Sequence, residues 1–130
     1  KKIMKKFLSS LLALTMILSL VIVPAQAHDG LTVGKGTATI TAKVGTSDVP
    51  EKGVASGTRV TFTVTGTPSV QDNSSDVTSG ITYTYKWDGA TEATTSNTYV
   101  KAITGDSGAQ VSVNCTVIAT VDDKNGEVAL

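Results

Sequence analysis

The chain has 130 residues, eleven basic against eleven acidic side chains, 40% hydrophobic but only 5% aromatic residues, one cysteine and one histidine. One cysteine excludes an internal disulfide, and one Cys with one His cannot make a zinc centre. The charge balance offers no basic stripe for nucleic acid, whose binding rests on neutralised phosphates.

The first 27 residues read as a separate object. "KKIMKK" is a basic start, and Phe7 to Val23 is an apolar run broken only by small hydroxyl residues. Pro24 ends the run, and Ala25 and Ala27 supply an A-x-A site. This is the layout of a secretory signal peptide, residues 1–27, cleaved after Ala27. The run is shorter than the ~20 residues of a membrane-spanning helix, so export without a retained anchor is expected. Translation from Met4 would give "MKKFLSSLLAL", a bacterial-looking export signal. The expected location is secreted or cell-surface, with no membrane contact after cleavage.

The mature chain, residues 28–130, fits one domain with a modest core. Lys1, Lys2, Lys5 and Lys6 leave with the signal, so seven basic residues face eleven acidic ones and the charge becomes −4. Only Leu31 and Leu130 remain of the leucines, while valine and threonine abound. β-Branched side chains fit a pleated surface better than a helix.

Alternation recurs from here onward, and no window holds a helical period. "TATITAKV" places Ala38, Ile40, Ala42 and Val44 on one face, and "RVTFTVTG" does the same with Val60, Phe62 and Val64. The segment 71–80 reads as a long loop between strands. "ITYTYKW" aligns Ile81, Tyr83, Tyr85 and Trp87, and "NTYVKAI" is a shorter strand. "QVSVNCTVIATV" aligns Val111, Val113, Cys115 and Val117, with Ile118 suggesting a bulge or two-sided burial. Asn125-Gly126 is the strongest hairpin signal and leaves "EVAL" as a very short last strand. About six or seven short strands with polar turns predict an antiparallel, all-β Greek-key sandwich.

The order of a β-branched strand, an aromatic strand ending in Trp87 and then "GDSGAQVSVNCTV" resembles the immunoglobulin-like domains, including PKD-like ones, of bacterial and phage surface proteins. The resemblance covers residues 37–130. It implies that Trp87 is the buried strand-C tryptophan, that Asp106-Ser107-Gly108 is the D-x-G corner and that Cys115 sits at the strand-F cysteine position. Phe62 stands where the strand-B cysteine would be, so packing replaces the B–F bridge. Val113 stands where the corner tyrosine would be. The implied core is Phe62, Tyr83, Trp87, Val113 and Cys115, with Cys115 a buried thiol. Such motifs specify fold and carry almost nothing about ligand.

His28 would become the N-terminal residue, an amine and imidazole together, but copper needs further nitrogen donors that the chain lacks. Nucleophilic catalysis needs a positioned base beside Ser or Cys, and the one histidine lies at the terminus. No catalytic residue and no phosphate loop is therefore expected. The loops of an Ig-like sandwich would bring Asp72 and Asp76 near Asp122, Asp123 and Glu127, a weak calcium expectation that "VDDKNGE" does not strengthen, since it departs from the EF-hand pattern. Asn73-Ser74-Ser75 and Asn114-Cys115-Thr116 are formal glycosylation sequons. A four-residue last strand would leave Val111 to Val117 as an open edge, inviting the first strand, or self-assembly through a strand from another copy.

These readings converge on a non-catalytic exported module for adhesion, spacing or assembly, with other surface proteins as partners. The alternative is a module for extracellular glycans, with calcium as an optional cofactor. A carbohydrate platform needs exposed rings, and Tyr99 is the aromatic expected to be exposed.

Overall fold

The computed structural model describes residues 31–130. The signal-peptide reading and the copper reading of His28 fall outside the described residues. Among the described residues there is no helix, and ten strands form three antiparallel sheets of the β-sandwich class. The sequence reading of about seven strands undercounts because β3 (Ser47–Asp48) and β6 (Ser75–Asp76) have two residues each, and β1 (Leu31–Gly34) and β5 (Ser69–Asp72) have four. Strands this short carry too few alternations to register as a period.

The chain divides into two compact units. The first holds residues 40–64 and 98–113 of the described chain. It contains the sheet ordered β3-β2-β4-β8, with β2 spanning Thr39–Val44, β4 Thr58–Thr65 and β8 Thr98–Ile103. Val60, Phe62 and Val64 point inward from β4 and are buried, as the alternation predicts. Phe62 lies opposite Tyr99, and Thr58 opposite the buried Ile103. Ile40, Val54 and Val113 complete this core.

The second unit holds residues 31–39, 65–97 and 114–130 of the described chain. Its larger sheet is ordered β10-β9-β7, with β7 spanning Thr82–Trp87, β9 Cys115–Val121 and β10 Lys124–Ala129. Trp87 faces Cys115, Tyr85 faces Val117 and Tyr83 faces Ala119. Cys115, Val117 and Ala119 are fully buried, so the aromatic row lies on the core face of its sheet. Its smaller sheet is ordered β1-β5-β6, with Val33 opposite Val70 and both buried. β1 also lies against β10.

The long strand expected from Gln110 begins only at Cys115, although Val113 is still buried. Of the bulge or two-sided burial suggested for Ile118, the bulge is absent, because Ile118 pairs in register with Thr84 and with Glu127, and its side chain is half-buried. The last hairpin turns at Asp122-Asp123, where Asp122 has φ 53°, and Asn125-Gly126 lies inside β10. A turn at Asn125-Gly126 would set Val128 opposite Asp123. The turn adopted sets Val128 opposite Val117, so apolar burial outweighs local turn preference. β10 thus runs six residues and covers β9, whose other side is covered by β7. Residues 115–117 therefore have backbone partners on both sides.

The segment 71–80 is also more ordered in its pairing than a loop. β5 and β6 form a hairpin with Asp72 opposite Ser75. Its two turn residues, Asn73 and Ser74, have φ 48° and 69°. Two positive φ values in a two-residue loop give the twist that suits a hairpin, here without glycine. Beyond it, the Val77 N–H donates to the Val70 carbonyl at 2.9 Å.

Candidate functional site

The placement of the expected core residues decides which side chains remain for chemistry. Trp87 is 5% exposed, and its Nε1–H donates to the Ser96 carbonyl at 3.2 Å. Ser96 is brought there by the segment after β7, which folds back so that Tyr85 and Thr94 exchange two backbone hydrogen bonds of 2.8 Å. Asp88, at φ 50°, clasps the other side. Its N–H donates to the Asn114 carbonyl at 2.9 Å, and its Oδ1 accepts from the Asn114 N–H at 3.2 Å. Asn114, the first residue of one sequon, is thus engaged through its backbone.

Cys115 is 1% exposed, and burial pushes its thiol up to about 12. A nucleophilic cysteine needs a stabilised thiolate, and here the environment favours the neutral form strongly. Burial likewise raises Tyr85, with a smaller contribution from Cys115. Phe62 and Val113 are buried as expected.

Tyr83 differs from the other expected core residues. It is half-buried, and its phenolic oxygen is enclosed without any hydrogen-bond partner. Burial is the main cause that raises its ionisation above the ordinary phenol range, followed by Tyr85. A buried hydroxyl without a partner is uncommon and calls for an account.

That account begins with the cleft beside it. A cleft of about 520 Å³ is lined by residues of the 67–70 and 76–81 segments and by Tyr83. Its position follows from two glycines. Gly36 and Gly66, at φ 56° and 78°, let the 36–37 and 66–67 backbones meet where a Cβ on either would strike the opposite chain. Thr37 N–H donates to the Thr67 carbonyl at 3.0 Å, and Thr67 N–H donates to Thr37 Oγ1 at 2.9 Å. This clasp fixes the start of one cleft wall. The β5–β6 hairpin and the Val77–Val70 bond fix the other.

The expected calcium ligands are placed differently from one another. Asp72 lies against Lys124 at the start of β10, a cation from the chain itself. Lys124 Nζ lies 2.8 and 3.1 Å from the two Asp72 oxygens. Asp76 accepts from Gln71 Nε2 at 2.9 Å. Asp122 and Asp123 are exposed in the turn, and Glu127 lies on β10 opposite Ile118. Among the described residues no group of three or more His, Cys, Asp or Glu side chains converges on a point where a metal could sit. Tyr99 is half-exposed on β8, beside Val100, which is 44% exposed.

Sequence reasoning did not find the cleft. Its walls come from turn segments whose apposition depends on the glycine clasp and on a hairpin without the usual Asn-Gly signature. Among known proteins, no family model, no characterised protein and no solved structure matches this chain.

Proposed function

We propose that this chain is a non-catalytic, exported Ig-like module serving adhesion, spacing or assembly at a cell surface. The observation that carries this reading is Cys115. The only thiol in the chain is 1% exposed and strongly held in its neutral form. The other groups that could do chemistry are similarly engaged in structure. Trp87 is bonded to Ser96, Asp72 to Lys124 and Asp76 to Gln71. The strand order β10-β9-β7, with a buried Trp on the third strand, supports the Ig-like reading. The apolar run and A-x-A site at residues 7–27 support export.

Two measurements test this. An alkaline phosphatase fusion to residues 1–30 reports export in a bacterial host, and an inactive fusion would overturn the exported module. Light scattering of the exported protein, with and without calcium and reductant, separates spacing from assembly. A monomer under all conditions favours a spacer or adhesin, and a reductant-insensitive oligomer favours assembly. Binding of extracellular carbohydrate is the second reading, and the cleft beside Tyr83 is what favours it.

A further inference from the structure

The cleft beside Tyr83 has a lining that selects among ligand classes. Hydroxyl side chains come from Ser69, Thr78 and Ser79, and a single carboxylate comes from Asp76. Among the described residues no cationic side chain lines it. Phosphates, sulfates and carboxylates would meet Asp76 with nothing to balance their charge, so anionic ligands are disfavoured. The remaining lining is apolar, including Ile81 and the Tyr83 ring. A volume of about 520 Å³ lies within the range of small-ligand sites, roughly 300–1,000 Å³.

A neutral ligand that presents both hydroxyls and C–H faces matches this lining. Its hydroxyls pair with the Asp76 carboxylate and with the Ser and Thr hydroxyls, which donate or accept by rotation. Its C–H faces cover Ile81 and the tyrosine ring. Tyr83 then adds a specific demand. Its enclosed hydroxyl lacks a partner, and a ligand acceptor oxygen that reached it would supply one. Inner access requires the 77–81 crossover to give way slightly. That segment contains Gly80 at φ 72°, with open space around the position of a Cβ.

We propose that the cleft formed by the 67–70 segment, the 76–81 crossover and Tyr83 is a binding site for a neutral saccharide, with Tyr83 Oη as a donor to one ligand oxygen. The proposal rests on the carbohydrate reading above and names its site. Asp76 keeps one oxygen for the ligand, since Gln71 occupies only Oδ1. The position also fits an adhesion module, because the cleft opens beside an exposed hairpin, residues 73–76.

The test uses the exported protein labelled with ¹⁵N and titrated with cello-, chito-, xylo- and manno-oligosaccharides at millimolar concentration. The expected result is a saturable shift of Ser69, Thr78, Ser79, Gly80 and Tyr83 amides with at least one of them. Tyr83→Phe is expected to weaken that binding at least about threefold while leaving the unfolding midpoint unchanged or higher. Ser79→Trp, which fills an exposed wall without touching the core, is expected to abolish it. Saturable binding with shifts confined to other surfaces overturns the cleft while leaving a carbohydrate module standing. No binding by any of the four sugars overturns both. Unchanged affinity in Tyr83→Phe removes the tyrosine from the site.

Discussion

The two ends of strand β7 share one face and have opposite characters. At the Trp87 end the indole and the polar groups of the strand ends have partners. The indole N–H meets Ser96, and Asp88 and Asn114 clasp each other across the strand ends. At the Tyr83 end, four residues earlier, a phenol is enclosed with no partner and a cleft lies beside it. Both residues obey the same alternation and both face buried residues of β9. The difference comes from what folds over them. The segment 89–97 turns back onto β7 and delivers a carbonyl to the indole, whereas the 77–81 crossover arrives from another sheet and delivers none to the phenol. Period decides which face a side chain takes. The connecting segments decide whether its polar atom is satisfied.

The largest effect is expected at the closed end. Trp87→Ala removes a buried indole and should cost about 3–5 kcal/mol in urea unfolding, enough to unfold a small domain. A loss below about 1 kcal/mol would place the indole outside the core.

Alkaline pH comes next. Cys115 has its folded value raised from 9.0 to about 12, so its contribution is fully present below pH 9 and is lost as pH rises toward 12. The expected slope is at most about 1.4 kcal/mol per pH unit. The raised Tyr83 and Tyr85 act in the same direction at higher pH. Cys115→Val should flatten the first part of the profile, and an unchanged slope would remove the thiol as its source.

A smaller loss is expected from Gly66→Ala. It places a Cβ against the Thr37 backbone and forces a left-handed conformation on alanine, which costs about 1–2 kcal/mol for the conformation alone. The same change at Gly45, also left-handed but in open space, isolates the cost of the clasp by difference.

Asp72→Asn should matter less still. The Asp72 and Lys124 side chains are 31% and 39% exposed, so solvent screening holds the loss to about 1 kcal/mol or below, and added salt should reduce it. Smallest, and opposite in sign, is Tyr83→Phe. Removing an unpartnered buried hydroxyl should leave stability unchanged or raise it by up to about 1 kcal/mol. A clear loss of stability would mean that the phenol has a structural partner.

Much of the fold was legible because it rests on a period. The faces of Val60, Phe62 and Val64, and of Tyr83, Tyr85 and Trp87, follow from alternation alone. Trp87, Phe62, Val113 and Cys115 are core residues as the sequence implies. What escaped was set by contacts distant in sequence. β1 and β5 are four residues each and are defined by pairing with one another. The last turn lies three residues before its best local signal because that alignment buries Val128 against Val117. Loop geometry set Asp72 and Asp76 beside Asp122, Asp123 and Glu127, whereas the contact that Asp72 makes is with Lys124. That Lys124 would hold both carboxylate oxygens depends on a side chain's reach and has no sequence signature. The cleft was least legible, since its walls are turn residues whose apposition requires the Gly36–Gly66 clasp.

The central claim is that the residues capable of chemistry at the Trp87 end are held inside the fold. The direct measurement is the rate at which Cys115, the one thiol in the chain, reacts with Ellman's reagent under native conditions across a urea series. The account predicts no reaction faster than unfolding, with a rate that rises along the unfolding transition and reaches the free-thiol value only in the unfolded chain. Rapid labelling without urea would contradict both the buried row and the non-catalytic reading that rests on it.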